Sequence, residues 1–248
     1  MDVQLNSDMG ESFGIYHMGN DEGLMRCIHI ANVACGFHAG DPLVMQKTVR
    51  LAKGYGVKVG AHPSLPDLQG FGRREMKMRP DELTAMVLYQ VGALKAFLDA
   101  ERMPLNHIKP HGSLYGMAAR DEVVANAVCD AVEKYGVPLY GMAGTLHEKV
   151  SKERKLSFFS EFYADLDYDA SGGLIITREH KAVDPGAAVE RVLRAIREGV
   201  VRSQQGPDVR VRADIVCVHS DTPGAVEVAK AIREALDGFP SKGAGPRE

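Results

Sequence analysis

The chain has 248 residues, of which 45% are hydrophobic and 25% charged, and its formal net charge is −3 at pH 7. This composition is that of an ordinary globular protein, and the length suits one large α/β domain or two small ones. The slightly acidic balance, with no basic stripe or basic tail, argues against a nucleic-acid partner.

The chain also lacks the sequence features of membrane and secreted proteins. No stretch approaches the run of about 18 apolar residues that a membrane-spanning helix needs. The N-terminus has no positive region followed by an apolar run, as a signal peptide would have. The four cysteines are scattered without CxxC spacing, at positions 27, 35, 129 and 217. We therefore expect free thiols, a cytoplasmic location and no membrane partner.

Short apolar runs, typical of strands buried on both faces, alternate with amphipathic segments along the chain. The predicted strands are Val3–Leu5, His29–Val33, Val57–Gly60, Asn106–Lys109, Val137–Tyr140, Leu156–Ser160 and Ile215–Val218. Leu174–Thr177 is consistent with an added strand or with part of a long loop. His29 and His107 lie inside or beside these strands, which indicates structural roles.

Apolar residues at helical spacing predict helices within residues 41–56, 80–101, 121–136, 185–200 and 223–236. In the first of these, Asp41 is a candidate N-cap, Pro42 suits the first helical position, and Gly56 offers a C-terminal stop. Alternation of strands and helices predicts parallel strands joined by right-handed crossovers. Seven strands could form a closed barrel or an open doubly wound sheet. We expect a single barrel domain over residues 1–238 and a flexible C-terminal tail at 239–248.

Two nucleotide-binding motifs are missing from the sequence. There is no GxGxxG after the first strand and no GxxxxGK[ST] anywhere, which counts against a dinucleotide or P-loop site in this chain. The longest irregular stretch, Glu161–Asp184, is predicted to be a functional loop or lid, because long structureless loops in compact domains usually are.

Ionisable and amide side chains follow most of the predicted strands. These candidate site residues are Asn6, Asp8, Glu11, Asn32, His38, His62, Arg73, Lys109, His111, Ser113, Tyr115, Glu161, His219 and Asp221. In a parallel barrel the carboxyl ends of the strands meet at one rim, where active sites are built. We therefore expect these side chains to converge at a single mouth.

Carboxylates and imidazoles in a water-poor mouth support general acid–base hydrolysis. Asp8, His38 and His62 are candidate ligands of a divalent metal, with a water in the open position. Lys109, at the end of an apolar strand, must be paired or functional, because a buried unpaired ammonium is costly. Arg73 is either half of a surface pair with Arg74 or part of a clamp for a carboxylate or phosphate.

Six segments of the chain together resemble the signatures of the LamB/YcsF family. They are LNSDMGESFG, ANVACGFHAGDP, GAHPSLPDLQGFGRREM, IKPHGSLYG, EFYADLDYDASGGLIITRE and VHSDTPGA. The resemblance runs from Val3 to about Leu236. Seven polar positions show no departure from the family pattern: Asp8, Glu11, His38, His62, Lys109, His111 and His219.

The resemblance implies an α/β fold, a (β/α)7-type parallel barrel similar to the glycoside hydrolase/deacetylase superfamily. It implies ATP-dependent opening of 5-oxo-L-proline (pyroglutamate) to L-glutamate, as the A subunit of prokaryotic 5-oxoprolinase working with partner subunits B and C. In that superfamily a metal held by Asp and His is frequent, and the resemblance leaves open whether this branch keeps it. Since the chain has no phosphate-cradling loop, we expect ATP to bind partly or wholly on the partners.

On this hypothesis the partners phosphorylate the lactam oxygen and this chain adds water to the activated carbon. Asp8 or Glu11 is the expected base, and His38 or His62 relays the proton or holds a metal-bound water. The expected catalytic residues are Asp8, Glu11, His38, His62, Lys109 and His111. The expected substrate-binding residues are Asn6, Asn32, Arg73, Ser113, Tyr115, Glu161, His219 and Asp221, with Lys109 and Arg73 binding the substrate carboxylate or the transferred phosphate.

Two alternatives remain open from the sequence. One is a stand-alone metal-dependent deacetylase or amidohydrolase, which would act without ATP or partners. The other is a non-catalytic carrier that binds the lactam and delivers it to a catalytic partner. The density of ionisable groups at the rim argues against the carrier, because a binder of so small a ligand needs only a few.

Overall fold

The computed structural model describes residues 3–177 and 181–238, and within them nine strands. They are β1 (Gln4–Met9), β2 (Ile30–Ala34), β3 (Lys58–His62), β4 (Leu105–Ile108), β5 (Leu139–Gly141), β6 (Phe158–Tyr163), β7 (Val200–Arg202), β8 (Asp208–Arg210) and β9 (Ile215–Val218). Seven of them, β1 to β6 and β9, form a closed parallel barrel in chain order, with β9 pairing β1. The predicted seven-stranded barrel is confirmed, and the open sheet is wrong.

Eight helices surround the barrel in the described residues. They are α1 (Asp21–Met25), α2 (Pro42–Tyr55), α3 (Pro80–Ala100), α4 (Gly112–Arg120), α5 (Glu122–Tyr135), α6 (Leu146–Glu153), α7 (Pro185–Glu198) and α8 (Ala225–Asp237). All five predicted helices are present. The other three, α1, α4 and α6, have nine residues or fewer, so the apolar spacing repeats too few times to be recognised.

Helix α2 begins and ends as the sequence predicts. The Asp41 carboxylate accepts the backbone N–H groups of Leu43 and Val44, and Pro42 occupies the first turn. Gly56 ends the helix in the left-handed conformation, with φ +68°. These two ends fix where the chain leaves β2 and re-enters β3, and so they position both strand ends at the rim.

Three strands reach at least two residues further towards the rim than predicted. Strand β1 includes Asn6 and Asp8, β3 includes His62, and β6 includes Glu161, so these residues lie in the barrel wall and not in loops after it. The Asn6 and Glu161 side chains bond one another across the barrel interior, while Leu5 and Met9 pack in the hydrophobic core. The predicted strands end where polar residues begin, but the interior of this barrel is itself polar.

Packing inside the barrel accounts for the position of His107 and for the glycine at position 60. Nε2 of His107 is 2.8 Å from Oδ1 of Asn32, and its ring stacks on Tyr140 with centroids 3.8 Å apart. A Cβ at Gly60 would lie 2.0 Å from this ring. His107 therefore fills the barrel, as the predicted structural role requires. At His29, Nδ1 accepts the backbone N–H of Leu5, a contact of the same kind.

The segment between β6 and α7 is a loop over its described part. Leu174 makes a single bridge with Tyr168, and residues 175–177 are not in a strand, so the loop interpretation of Leu174–Thr177 holds. Strands β7 and β8 form a separate antiparallel hairpin that was not predicted from the sequence. Each has three residues, too few for alternation to be visible.

Helix α3 is long and apolar enough to cross a membrane by length and composition alone. It packs against α5 and buries residues such as Leu83, Val87 and Leu94, as the core helix of a barrel does. The four cysteines are free and buried, as predicted. The predicted tail, residues 239–248, lies outside the described residues.

Candidate active site

Lys109 lies at the centre of a buried ionic cluster. It directly follows β4, and its Nζ is 2.8 Å from Oδ1 of Asp8 on β1, 3.2 Å from Oε1 of Glu161 on β6 and 3.2 Å from Sγ of Cys217 on β9. Burial by itself would lower the pKa of Lys109, but Asp8, Cys217 and Glu161 hold it well above its usual value. The lysine is thus a paired, permanently charged ammonium, which satisfies the expectation drawn from its sequence position.

Asp8 receives contacts from four sides. Its Oδ1 accepts hydrogen bonds from Lys109 and from Nδ2 of Asn32 at 2.8 Å, and its Oδ2 lies 3.2 Å from Nε2 of His62 and 3.6 Å from Nε2 of His219. Burial opposes ionisation, but the neighbouring His62 and Lys109 keep the pKa of Asp8 well below its usual value. Asp8 is therefore a carboxylate in the folded chain.

The two asparagines predicted to bind substrate each donate a hydrogen bond to a buried acidic side chain. Both side chains are fully buried, with Asn32 donating to Asp8 and Nδ2 of Asn6 donating to Oε1 of Glu161 at 2.6 Å. The second oxygen of Glu161 accepts the Tyr163 hydroxyl at 2.7 Å. In this structure Asn6 and Asn32 position charged groups from inside the barrel.

A second buried cluster contains three imidazoles and a carboxylate. Nε2 of His38 is 3.1 Å from Oε1 of Glu11, Nδ1 of His111 is 3.7 Å from the same oxygen, and Nε2 of His62 is 3.0 Å from Nδ1 of His111. One ligand atom from each of the four lies within 4.8 Å of the others. Of the predicted metal ligands Asp8, His38 and His62, the structure groups both histidines with Glu11 and His111, and Asp8 borders the cluster through His62.

The electrostatics of this second cluster follow from its burial. Burial, with the nearby charges of Asp8 and Asp221, raises the pKa of Glu11 well above its usual value. Burial and neighbouring imidazoles lower the pKa values of His38 and His111 well below the usual value. In the chain alone these groups therefore favour neutral forms, whereas Asp8 and Lys109 beside them are charged.

His219 is oriented by an aspartate that was not among the predicted site residues. Asp165 accepts the backbone N–H of His219 through Oδ2 at 2.8 Å, and its Oδ1 is 3.1 Å from the ring Nδ1. Burial would lower the pKa of His219, but Asp165 and Asp8 raise it above its usual value. The available signal for Asp165 was its place just after the sixth strand, at the same rim as the other site residues.

The remaining predicted residues divide between the mouth and its edge. Arg73 pairs with Asp221 through Nη2 and Oδ2, 2.9 Å apart, beside the cavity. Tyr115 lines the cavity from α4. Ser113 also lies in α4 but is not among the described residues that line the cavity, and its backbone N–H donates to the oxygen of Gly72 at 2.8 Å.

A small cavity of about 30 Å³ lies at the rim. Its lining includes Asp8, His62, Lys109, His111, Tyr163 and His219, together with Leu166, Leu174 and Ile176 of the β6–α7 loop. This volume suits about one water molecule. Three of the lining residues thus come from the segment predicted to be a functional loop or lid, which places that loop beside the acid–base groups.

Comparisons with known proteins agree with the sequence motifs. A sequence model of the LamB/YcsF family matches residues 3–242. Lactam utilization protein lamB of Emericella nidulans is 48% identical over 242 residues, covering 96% of this chain and 95% of that protein. The 5-oxoprolinase A subunit of Thermus thermophilus is 47% identical over 241 residues, 96% of each chain, and that of Bacillus subtilis is 46% identical over 238 residues, 94% and 93%.

The fold agrees as well. The crystal structure of a lactam utilization protein from Thermus thermophilus matches with a TM-score of 0.88 and 46% identity, covering 96% of each chain. The match therefore extends over nearly the whole barrel and the loops that carry the site. The chain belongs to the LamB/YcsF family.

Proposed function

We propose that this chain is the A subunit of a cytoplasmic, ATP-dependent 5-oxoprolinase that hydrolyses the lactam of 5-oxo-L-proline to L-glutamate with partner subunits B and C. The observation that carries the proposal is nearly full-length identity of 47% to proteins named as the A subunit of 5-oxoprolinase. A buried acid–base site at the barrel mouth supports a catalytic role over that of a carrier.

The partners handle the nucleotide in this proposal, because the sequence has no phosphate-cradling loop. They transfer the γ-phosphoryl group of ATP to the lactam oxygen and release ADP. Water then adds to C5 in this chain, the C5–N bond breaks, and the nitrogen takes up a proton. The resulting γ-glutamyl phosphate, a mixed anhydride, is hydrolysed by a second water to glutamate and phosphate.

The charge states at the site suggest a role for each group. Asp8 is the ionised carboxylate and the candidate base for the attacking water, while burial favours the protonated form of Glu11 in the chain alone. The Lys109 ammonium stabilises negative charge that develops on the oxygen bound to C5. His219, held by Asp165, is the candidate acid for the departing nitrogen.

Arg73 is the candidate for binding the carboxylate or phosphate of the substrate. Its guanidinium already faces the Asp221 carboxylate. An incoming anion therefore competes with Asp221 or shares the guanidinium with it, which would make affinity depend on both residues.

The experiment measures glutamate release from 5-oxo-L-proline by the chain alone, with and without ATP, and then with subunits B and C added. We expect release only with ATP and both partners. The double variant Asp8→Asn, Glu11→Gln should abolish it, whereas Lys95→Ala, which removes an exposed lysine on α3, should not.

Three other results would change the assignment. Release by the chain alone without ATP would support the stand-alone amidohydrolase. Full activity of the double variant in the complete mixture would support the carrier. No glutamate from the complete mixture would reject 5-oxoprolinase activity.

A further inference from the structure

The hydrogen bonds of two neighbouring histidines fix which ring nitrogen carries a proton. Nδ1 of His62 is 2.8 Å from the backbone oxygen of Lys109, and Nε2 of His111 is 2.8 Å from the backbone oxygen of Phe71. A carbonyl oxygen only accepts hydrogen bonds, so both of these nitrogens are N–H donors. In the neutral rings the other two nitrogens, Nε2 of His62 and Nδ1 of His111, therefore carry lone pairs.

These two lone-pair nitrogens face each other at 3.0 Å. Further acceptors surround them: Oδ2 of Asp8 lies 3.2 Å from Nε2 of His62, and Oε1 of Glu11 lies 3.7 Å from Nδ1 of His111. All four side chains are at least nine-tenths buried, so water does not screen their mutual repulsion. Something positively charged between them removes this repulsion.

His38 belongs to the same set. Its Nε2 is 3.1 Å from Oε1 of Glu11, its ring stacks on that of His111, and its Nδ1 is buried without a hydrogen-bond partner. The Nε2 atom is the one that reaches Glu11, so His38 brings a third imidazole nitrogen to the carboxylate oxygen that His111 also approaches.

A neighbouring set of possible ligands already has its cation. Asp8, Cys217 and His219 also bring ligand atoms within reach of one another. The Lys109 ammonium, however, lies 2.8 Å from Oδ1 of Asp8 and 3.2 Å from Sγ of Cys217. A metal there would have to displace or oppose this charge, so the histidine cluster is the better site.

We propose that Glu11, His38, His62 and His111 bind one divalent transition-metal ion of the Zn²⁺ or Co²⁺ type. The inference goes beyond the proposed function, since it rests on the chain alone. The separations of 3.0 to 3.7 Å between the paired ligand atoms compare with about 3.3 Å between ligands of a tetrahedral zinc. Three imidazoles and a carboxylate favour such ions over Mg²⁺ or Ca²⁺. When bound, the ion would supply Lewis-acid activation beside Asp8.

The test uses the purified full chain without partners, substrate or ATP, so its result is independent of the proposed function. After chelator treatment and dialysis, Co²⁺ is titrated while its visible absorption is followed, and Zn²⁺ is titrated by calorimetry. We expect one equivalent of each ion, Co²⁺ bands typical of four or five ligands, and a higher melting temperature with the metal. Mg²⁺ at the same concentrations should give none of these.

Matched variants locate the ion. His38→Asn, His111→Asn and Glu11→Gln should each weaken binding by about 10- to 100-fold or more, the range seen when only the groups behind metal ligands are lost. His219→Asn, which belongs to the neighbouring set, and His17→Gln, an exposed histidine, should bind as the parent chain does. Circular dichroism and the melting temperature of the metal-free protein identify any histidine variant that fails to fold. If one does, the test relies on the conservative variant Glu11→Gln.

Two outcomes overturn the proposal. One is the absence of stoichiometric Co²⁺ or Zn²⁺ binding by the folded parent chain, which would mean that a shared proton separates His62 and His111. The other is stoichiometric binding that survives loss of His38, His111 and Glu11 but disappears in His219→Asn, which would assign the ion to the neighbouring set.

Discussion

Nζ of Lys109 lies 2.8 Å from Oδ1 of Asp8 across the barrel, and each side chain is at most 3% exposed. The two residues are far apart in sequence, on β1 and just after β4, and Glu161 from β6 joins them at 3.2 Å from the ammonium. One buried cation thus holds two buried carboxylates from different strands. Removing this cation would leave two buried acidic groups without the ammonium that they share.

Lys109→Met should therefore destabilise the chain strongly. It removes the ammonium that Asp8 and Glu161 share, and breaking a buried ion pair by removing one partner costs about 3–5 kcal/mol. Urea unfolding at neutral pH measures the loss. The double variant Asp8→Asn, Lys109→Met should be less destabilised than the sum of its single changes. A loss below about 1 kcal/mol for Lys109→Met would contradict the pairing.

Asp165→Asn should change the pH dependence of catalysis. Burial lowers the pKa of His219, but Asp165 and Asp8 raise it above its ordinary 6.5, so the imidazolium persists above pH 6.5. Without the Asp165 charge, the alkaline limb of kcat/KM in the complete enzyme should move to lower pH.

The raised pKa of His219 also makes the free energy of unfolding depend on pH. A raised folded-state pKa contributes stability that is fully present below pH 6.5 and is lost as pH rises through the folded-state pKa. Asp165→Asn should therefore lose more stability at pH 6 than at pH 9. Histidine titration by NMR checks the assignment, and an unchanged His219 pKa in the variant would show that Asp165 does not act through this ring.

Gly72→Ala should disrupt the histidine cluster sterically. Gly72 has φ +65°, and a Cβ there would lie 2.3 Å from Oγ of Ser64, 2.8 Å from Cβ of His38 and 2.9 Å from Cδ2 of His111. Gly56→Ala is the matched control, because Gly56 has φ +68° and nothing within 4 Å of the added atom. Both variants bear the left-handed backbone cost of about 1–2 kcal/mol.

The difference in stability between Gly72→Ala and Gly56→Ala measures the steric clash of the added Cβ, because the backbone cost is common to both. Overpacking in a dense interior adds about 1–3 kcal/mol, so Gly72→Ala should unfold at lower urea than Gly56→Ala and should also bind Co²⁺ more weakly. Equal stability and equal metal affinity would mean that the cluster tolerates the extra atom.

The β6–α7 loop should open on a faster timescale than the barrel. Two of its amide donors lie outside any strand or helix: the Asp169 N–H donates to Gly173 O at 2.8 Å, and the Ile175 N–H donates to Asp167 O at 2.9 Å. Hydrogen exchange should be faster at these amides than in β1 and should slow when 5-oxo-L-proline is bound. Protection equal to that of β1, with the complete enzyme active, would mean that substrate enters by another route.

Much of the barrel could be predicted because helix ends and buried strands leave local signals. Asp41, Pro42 and Gly56 mark α2 at both ends, and the apolar face of α3 repeats along its 21 residues. Short elements leave no such signal. The helix that carries Ser113 and Tyr115 has nine residues, and nothing in the sequence marked it as a helix.

The site was predicted less completely than the fold. Because strand ends converge in a parallel barrel, the sequence could bring Asp8, His38, His62, Lys109 and His219 to one mouth. It could not assign the hydrogen-bond and ion-pair partner of each side chain, since those depend on where the side-chain atoms lie in three dimensions. His107 and His111 are close in sequence, yet one bonds Asn32 inside the barrel and the other lies against His62.

By itself the sequence determined the strand–helix alternation, the polar strand ends and the resemblance to a family that implies the barrel, because alternation and motif order are properties of the chain in one dimension. Only the tertiary structure decided that the barrel closes, that Lys109 pairs with Asp8 and Glu161, that Asp165 holds His219, and that Glu11 lies among the histidines. The physical reason is that charge and proton positions at a buried site depend on distances of about 3 Å between atoms from different strands.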